Sequence, residues 1–77
     1  MSSVIEVTIN NHVAHLQLNR PDAHNAIDGA IMNGLLDFAR QMMDPGEIRA
    51  VVISGKGKSF CAGIDMNSFA EMASGEL

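Results

Sequence analysis

The chain has 77 residues, a formal net charge of −4 and a hydrophobic fraction of 47%, with no Trp or Tyr. That length permits one small domain, burying only about 60% of its unfolded surface, and the aliphatic composition belongs to a globular rather than a disordered segment. A single cysteine excludes an internal disulfide, scattered Lys and Arg make no basic face for nucleic acid, and no apolar run approaches the roughly 18 residues of a membrane span.

The first segment, MSSVIEVTIN, has neither the basic and apolar blocks of a secretory signal nor the arginines of an organellar transit peptide. A reducing, cytoplasmic setting is therefore expected. Within it, VIEVTI alternates: Ile5, Val7 and Ile9 fall on one face, Glu6 and Thr8 on the other, as in a half-buried strand. Asn10 to His12 follow, and asparagine tolerates the left-handed backbone of a tight turn. VAHLQL alternates again, setting Ala14, Leu16 and Leu18 against His15 and Gln17, so the pair predicts a β-hairpin.

NRPDAHNA breaks the alternation. Pro21 fixes its own φ and pushes Arg20 towards extended geometry, which predicts a loop of defined shape. Asp28 is a candidate N-cap for the next element, with Asn25 as its rival. From Gly29 to Met43 the period is helical. Ile27, Ile31, Leu35, Phe38 and Met42 form one stripe, with Met32, Leu36, Ala39 and Met43 beside it, predicting a helix buried over a wide arc. Gly34 within it costs about 1 kcal/mol relative to Ala, pointing to a close contact that needs the missing side chain. DPG at 44–46 ends the helix. RAVVIS is apolar without alternation, as suits a strand covered on both faces. A Gly/Lys loop follows, then MNSFAEMA, with Phe69, Met72 and Ala73 at helical spacing.

The candidate chemistry lies in AVVISGKGKSFCAGID, residues 50–65. Its Lys-Ser pair lacks the glycine spacing of a phosphate-binding P-loop, and Phe60 stands where a dinucleotide fingerprint needs its third glycine. Cys61, between Phe60 and Ala62, reads as a small packed hydrophobe, because no spacing brings His12, His15 or His24 to it as a base. His12 and His15 fall on opposite strand faces, and no metal-ligand spacing is present. The carboxylates are scattered rather than paired for acid–base work, and Asp65 reads first as a helix N-cap. One option needs no side chain. A glycine after a strand allows a sharp turn, and a helix opening behind it leaves N–H groups without intrahelical partners, backed by the helix dipole. Such an N–H can stabilise a developing oxyanion, worth about 3 kcal/mol in a transition state.

Taken together, HLQLNRPDAHNAID, the helix, and IRAVVISGKGKSFCAGIDM resemble the N-terminal part of the enoyl-CoA hydratase/isomerase, or crotonase, family over about Val4 to Met72. The resemblance implies an α/β fold, the crotonase-like (ClpP/crotonase) spiral of ββα units, with residues 1–77 as its incomplete N-terminal part. It implies acyl-CoA thioester substrates, coenzyme A arriving with the substrate and no separate cofactor, and assembly as homotrimers or hexamers. The Ile64 N–H falls where the family places its first oxyanion-hole donor. His24 and Ala26 fall where it contacts the bent CoA chain, Ala62, Asp65 and Met66 where it lines the adenine and thioester region, and Lys58 near the CoA phosphates. Asn67 departs from the pattern, since hydratases often carry Lys there. The resemblance places the family's second oxyanion donor in a later Gly-rich segment, and the acid–base carboxylates of hydratases in or after it, outside these residues. The expected reaction is hydration of a 2-enoyl-CoA in fatty-acid degradation, with enoyl- or dienoyl-CoA double-bond isomerisation as the alternative. A catalytically inactive CoA-binding or oligomerisation module is the reading from a different class, and the 77 residues alone are expected to be inactive.

Overall fold

The two alternating runs pair as expected, in a computed structural model that describes residues 4–75. Strand β1 (Ile5–Asn10) runs antiparallel to β2 (Val13–Leu18). Asn11 and His12 make the turn, both left-handed with φ of 51° and 66°. Two consecutive positive φ values match the twist of a two-residue hairpin, and Asn and His adopt them more readily than most residues.

The register puts Ile5 opposite Leu18, Val7 opposite Leu16 and Ile9 opposite Ala14, so all six share one face. Helix α1 (Gly29–Met42) lies across that face. Its Ile31 and Phe38 join Ala14, Leu16 and Leu18 in the core, with Ile5, Ile27, Leu35 and Met42 packed around them. The first helical stripe is thus the buried one. Gly34 has the close contact its position suggested: a Cβ there would stand 2.6 Å from Ile5 Cδ1. Asp28 is the N-cap, accepting a hydrogen bond from the Ile31 N–H at 2.9 Å.

Strand β3 (Ala50–Gly55) returns parallel to β2, giving the sheet order β1-β2-β3. The connection through α1 completes a ββα unit followed by the first strand of the next step. A short 3-10 turn, Pro21–Ala23, shapes the loop between β2 and α1, and helix α2 (Met66–Ala73) follows β3.

Three expectations about burial need correction. Val7 and Ile9 share the core face but are 43% and 63% exposed, because α1 covers the Ile5 end of β1 rather than its whole length. The second stripe of α1 is also open: Leu36 is 47% and Met43 85% exposed. The helix has one sheet face to pack against, so only one stripe is buried. β3 was expected to be covered on both faces, yet Val51, Val52 and Ile53 are 43%, 48% and 49% exposed. It is an edge strand here, with β2 as its one paired neighbour among the described residues. Phe69 is largely exposed, and α2 turns Ser68 inward instead; the side chains of Met72 and Ala73 lie outside the described set.

Candidate functional site

Two loops meet at the C-terminal ends of β2 and β3: the Arg20–Asp28 loop, and the glycine loop that runs from Gly55 to Asp65. Asn25 joins them from a fully buried position. Its Oδ1 accepts from the Arg20 N–H at 2.8 Å, and its Nδ2 donates to the carbonyls of Lys56 at 2.9 Å and Ser59 at 2.8 Å. It does so in a left-handed conformation, φ 58°, that Asn tolerates. Gly55 must be glycine for this approach, because a Cβ there would lie 2.3 Å from the Phe60 carbonyl oxygen and 2.6 Å from Asn25 Nδ2. At the rim, His24 Nδ1 and the Ser59 hydroxyl are hydrogen-bonded at 3.0 Å.

Beyond Cys61 the chain turns at Gly63, where φ is +91°. It then makes a short parallel bridge between Ile27 and Ile64. The Ile27 N–H donates to the Gly63 carbonyl at 2.7 Å, and the Asp65 N–H donates to the Ile27 carbonyl at 2.8 Å. The bridge thus takes both main-chain groups of Ile27 and the groups flanking Ile64, and leaves the Ile64 N–H itself out of the pairing. The Ile64 N–H accordingly has no acceptor among the described residues. Ile64 is 44% exposed and lines an open pocket of about 310 Å³ with Ile27, Met32 and Leu36, while Asp28 and Ser68 also border it. An unpartnered donor beside apolar walls can polarise a carbonyl oxygen brought to it.

Asp65 caps α2 as the sequence suggests. Its Oδ1 accepts from the Asn67 N–H at 2.9 Å and the Ser68 N–H at 3.4 Å. Its Oδ2 takes a hydrogen bond from Arg20 Nη1 at 2.9 Å. That bond from Arg20, opposed by desolvation and aided by the two capping N–H groups, holds the Asp65 carboxyl below its ordinary range. The contribution of this carboxylate to stability is complete above the unfolded carboxyl pKa, about 3.9. It is lost as pH falls through the depressed folded-state value. Asp65→Asn, which still caps, is therefore expected to flatten the acid limb of a melting-temperature profile. Identical acid limbs in the two proteins would show that the ion pair is idle.

The structure places His24 and Ala26 on the first of the two loops, Ala62 and Asp65 on the second, and Met66 at the start of α2. Asp65 spends its carboxylate inside the chain, and the Ala26 carbonyl accepts from Arg20 Nη1 at 3.0 Å. Met66 is 79% exposed. Lys58 is exposed on the glycine loop, whereas Lys56 is ion-paired to Glu6. Cys61 packs against the core, and its Sγ accepts from the Gly63 N–H at 3.4 Å. Among the described residues, no three His, Cys, Asp or Glu side chains gather as a metal ion requires, and no helix is long and apolar enough to cross a membrane. The sequence did not single out two residues that organise the site, Arg20 and Asn25. The asparagine showed only as a rival cap, and the arginine only as the residue before a proline.

Comparisons with known proteins identify the family. The family model for enoyl-CoA hydratase/isomerase matches residues 8–76. The mitochondrial Delta(3,5)-Delta(2,4)-dienoyl-CoA isomerase of Mus musculus is 42% identical over 67 residues, covering 86% of this chain and 20% of the isomerase. The (E)-benzylidenesuccinyl-CoA hydratase of Thauera aromatica is 44% identical over 64 residues, covering 80% of this chain and 25% of the hydratase. The crystal structure of a probable enoyl-CoA hydratase/isomerase from Mycobacterium abscessus superposes with a TM-score of 0.84 at 32% identity, over 92% of this chain and 28% of that one. The chain belongs to the enoyl-CoA hydratase/isomerase family, and its fold is the crotonase-like α/β arrangement. It spans 20% to 25% of the length of these two curated relatives.

Proposed function

We propose that residues 1–77 form the N-terminal part of a crotonase-like domain and supply one half of an acyl-CoA thioester site. The observation that carries this reading is the Ile64 N–H, left without an acceptor by the bridge to Ile27, in a residue that lines an apolar pocket. The N–H donates to the thioester carbonyl and gains strength as that oxygen takes on enolate charge, which lowers the barrier rather than merely tightening binding. The neighbouring loops receive coenzyme A. His24 and Lys58 stand exposed on the two loops that the His24–Ser59 bond joins. Ala26, Ala62 and Met66 lie along the same path, and Asp65 contributes through its main chain. Coenzyme A comes and goes as part of the substrate. The intact protein works in the cytoplasm as a homotrimer or hexamer.

The reaction is hydration of a 2-enoyl-CoA in fatty-acid degradation. Double-bond isomerisation is the second reading, supported by the 42% identity to a dienoyl-CoA isomerase. Both use the same polarised carbonyl and differ in the acid–base groups that accompany it. The test is to assay the intact protein carrying these residues with 2-enoyl-CoA and 3,5-dienoyl-CoA thioesters, and to measure acyl-CoA binding by calorimetry. Turnover of the first supports the hydratase, and of the second the isomerase. Binding with no turnover of either supports the non-catalytic module. No binding at all overturns the thioester site.

A further inference from the structure

We infer that Arg20 is a positioning residue for the Ile64 N–H, its single guanidinium tying together the segments on both sides of the Ile27–Ile64 bridge. The inference rests on the proposed role of that N–H. Arg20 Nη1 donates to the Ala26 carbonyl at 3.0 Å and to Asp65 Oδ2 at 2.9 Å, and Nε lies 3.5 Å from Asp28 Oδ2. These three partners are the residue before Ile27, the residue after Ile27, and the residue after Ile64. Every partner of the Arg20 guanidinium is one peptide bond from a bridged residue.

The two carboxylates are also the caps of the two helices. Asp28 Oδ1 accepts from the Ile31 N–H at 2.9 Å, and Asp65 Oδ1 accepts from the Asn67 N–H at 2.9 Å. Each carboxylate thus spends one oxygen on its helix and turns the other to Arg20. The N-terminal ends of α1 and α2 are linked through one cation, with the bridge between them. The side chains are only partly exposed, at 29% for Arg20, 27% for Asp28 and 17% for Asp65, so solvent screens the clasp incompletely. Loss of the guanidinium leaves two like charges facing each other across the bridge, a repulsion that spreads the two caps apart. A lysine has one point of charge and cannot fork to a carbonyl and two carboxylates at fixed angles.

A displacement of about 1 Å at a reacting centre costs on the order of 100-fold in rate. Arg20→Met is therefore expected to lower kcat by about 100-fold, and Arg20→Lys by about 10-fold, with KM for the acyl-CoA little changed. The decisive readout is the carbonyl stretch of a bound acyl-CoA, from isotope-edited infrared difference spectra of the intact protein. In the wild type the band moves to lower frequency. In Arg20→Lys and in Asp65→Asn it moves less and broadens. Arg40→Met, which removes an exposed ion pair with Asp37, serves as the control and keeps the wild-type band. Should Arg20→Met fail to fold, Arg20→Lys and Asp65→Asn carry the test. A shifted wild-type band that both of these variants retain, with unchanged kcat, overturns the role of Arg20 alone. An unshifted wild-type band overturns the role of the Ile64 N–H and that of Arg20 with it.

Discussion

Ile64→Pro in the intact protein is expected, on the proposed reading, to lower turnover about 100- to 1000-fold, the usual cost of removing one oxyanion donor. The bridge makes this substitution unusually informative. Proline removes an N–H, and in most extended segments that also breaks a bond of the fold. Here the bonds run from the Ile27 N–H to the Gly63 carbonyl and from the Asp65 N–H to the Ile27 carbonyl, and neither uses the Ile64 amide. The residue ahead of the new proline is Gly63, which has no Cβ to clash with the ring. Ile64→Ala, which keeps the N–H and trims a side chain that is 44% exposed, is expected to turn over close to the wild type. A backbone ester at position 64, which swaps the N–H for oxygen at constant shape, should match the proline variant. If proline and ester both turn over normally in folded protein, the donor lies elsewhere. If alanine falls as far as proline, the side chain rather than the amide matters.

The largest effect on stability is expected from Asn25→Leu, at about 3 kcal/mol or more. Leucine nearly matches the shape but makes none of the three hydrogen bonds to Arg20, Lys56 and Ser59. Each buried backbone group left unpaired costs about 1–3 kcal/mol. The left-handed backbone adds roughly 1–2 kcal/mol for a residue without Asn's local bonding. Asn25→Asp should do no better, since a carboxylate cannot donate to the Lys56 and Ser59 carbonyls it would face. Asn25→Gly relieves the backbone and loses only the bonds, so it should fall between wild type and leucine. Urea unfolding of the intact protein gives the ranking through the midpoints. A leucine variant within 1 kcal/mol of wild type, on the order of the net worth of one hydrogen bond, would mean that water replaces the side chain.

The local architecture was readable because short-range signals agree with one another. Alternation on both sides of an Asn pair specified the hairpin, and the stripe from Ile27 to Met42 packs as its spacing predicts, although the neighbouring stripe does not. What could not be read was cover. An apolar run states that Val51, Val52 and Ile53 tolerate burial, not that something lies over them, and the edge position of β3 is set by topology rather than by its own residues. The site divides in the same way. The Gly63 turn and the Asp65 cap are local and were legible. The Ile64 donor could be framed as a physical option, but only the resemblance singled it out. Arg20 and Asn25 act across 45 residues to Asp65 and 31 to Lys56, distances over which a single sequence has no periodicity to follow. Their local roles, a rival helix cap and the residue before a proline, gave no hint of those distant partners.

The bridge at Ile27 and Ile64 has a consequence for how such a site is inherited. Its main-chain bonds tie down the flanking positions and release the amide between them. On the proposed reading, the reactive feature belongs to a peptide unit and not to any of the twenty side chains. Position 64 is then free to drift in sequence while the chemistry stays fixed, and an alanine scan would pass over it in silence. A change at the glycine before it, or at the residues that hold its neighbours still, would reach the chemistry that a change of the side chain at 64 leaves alone, so this function is written around the site rather than in it.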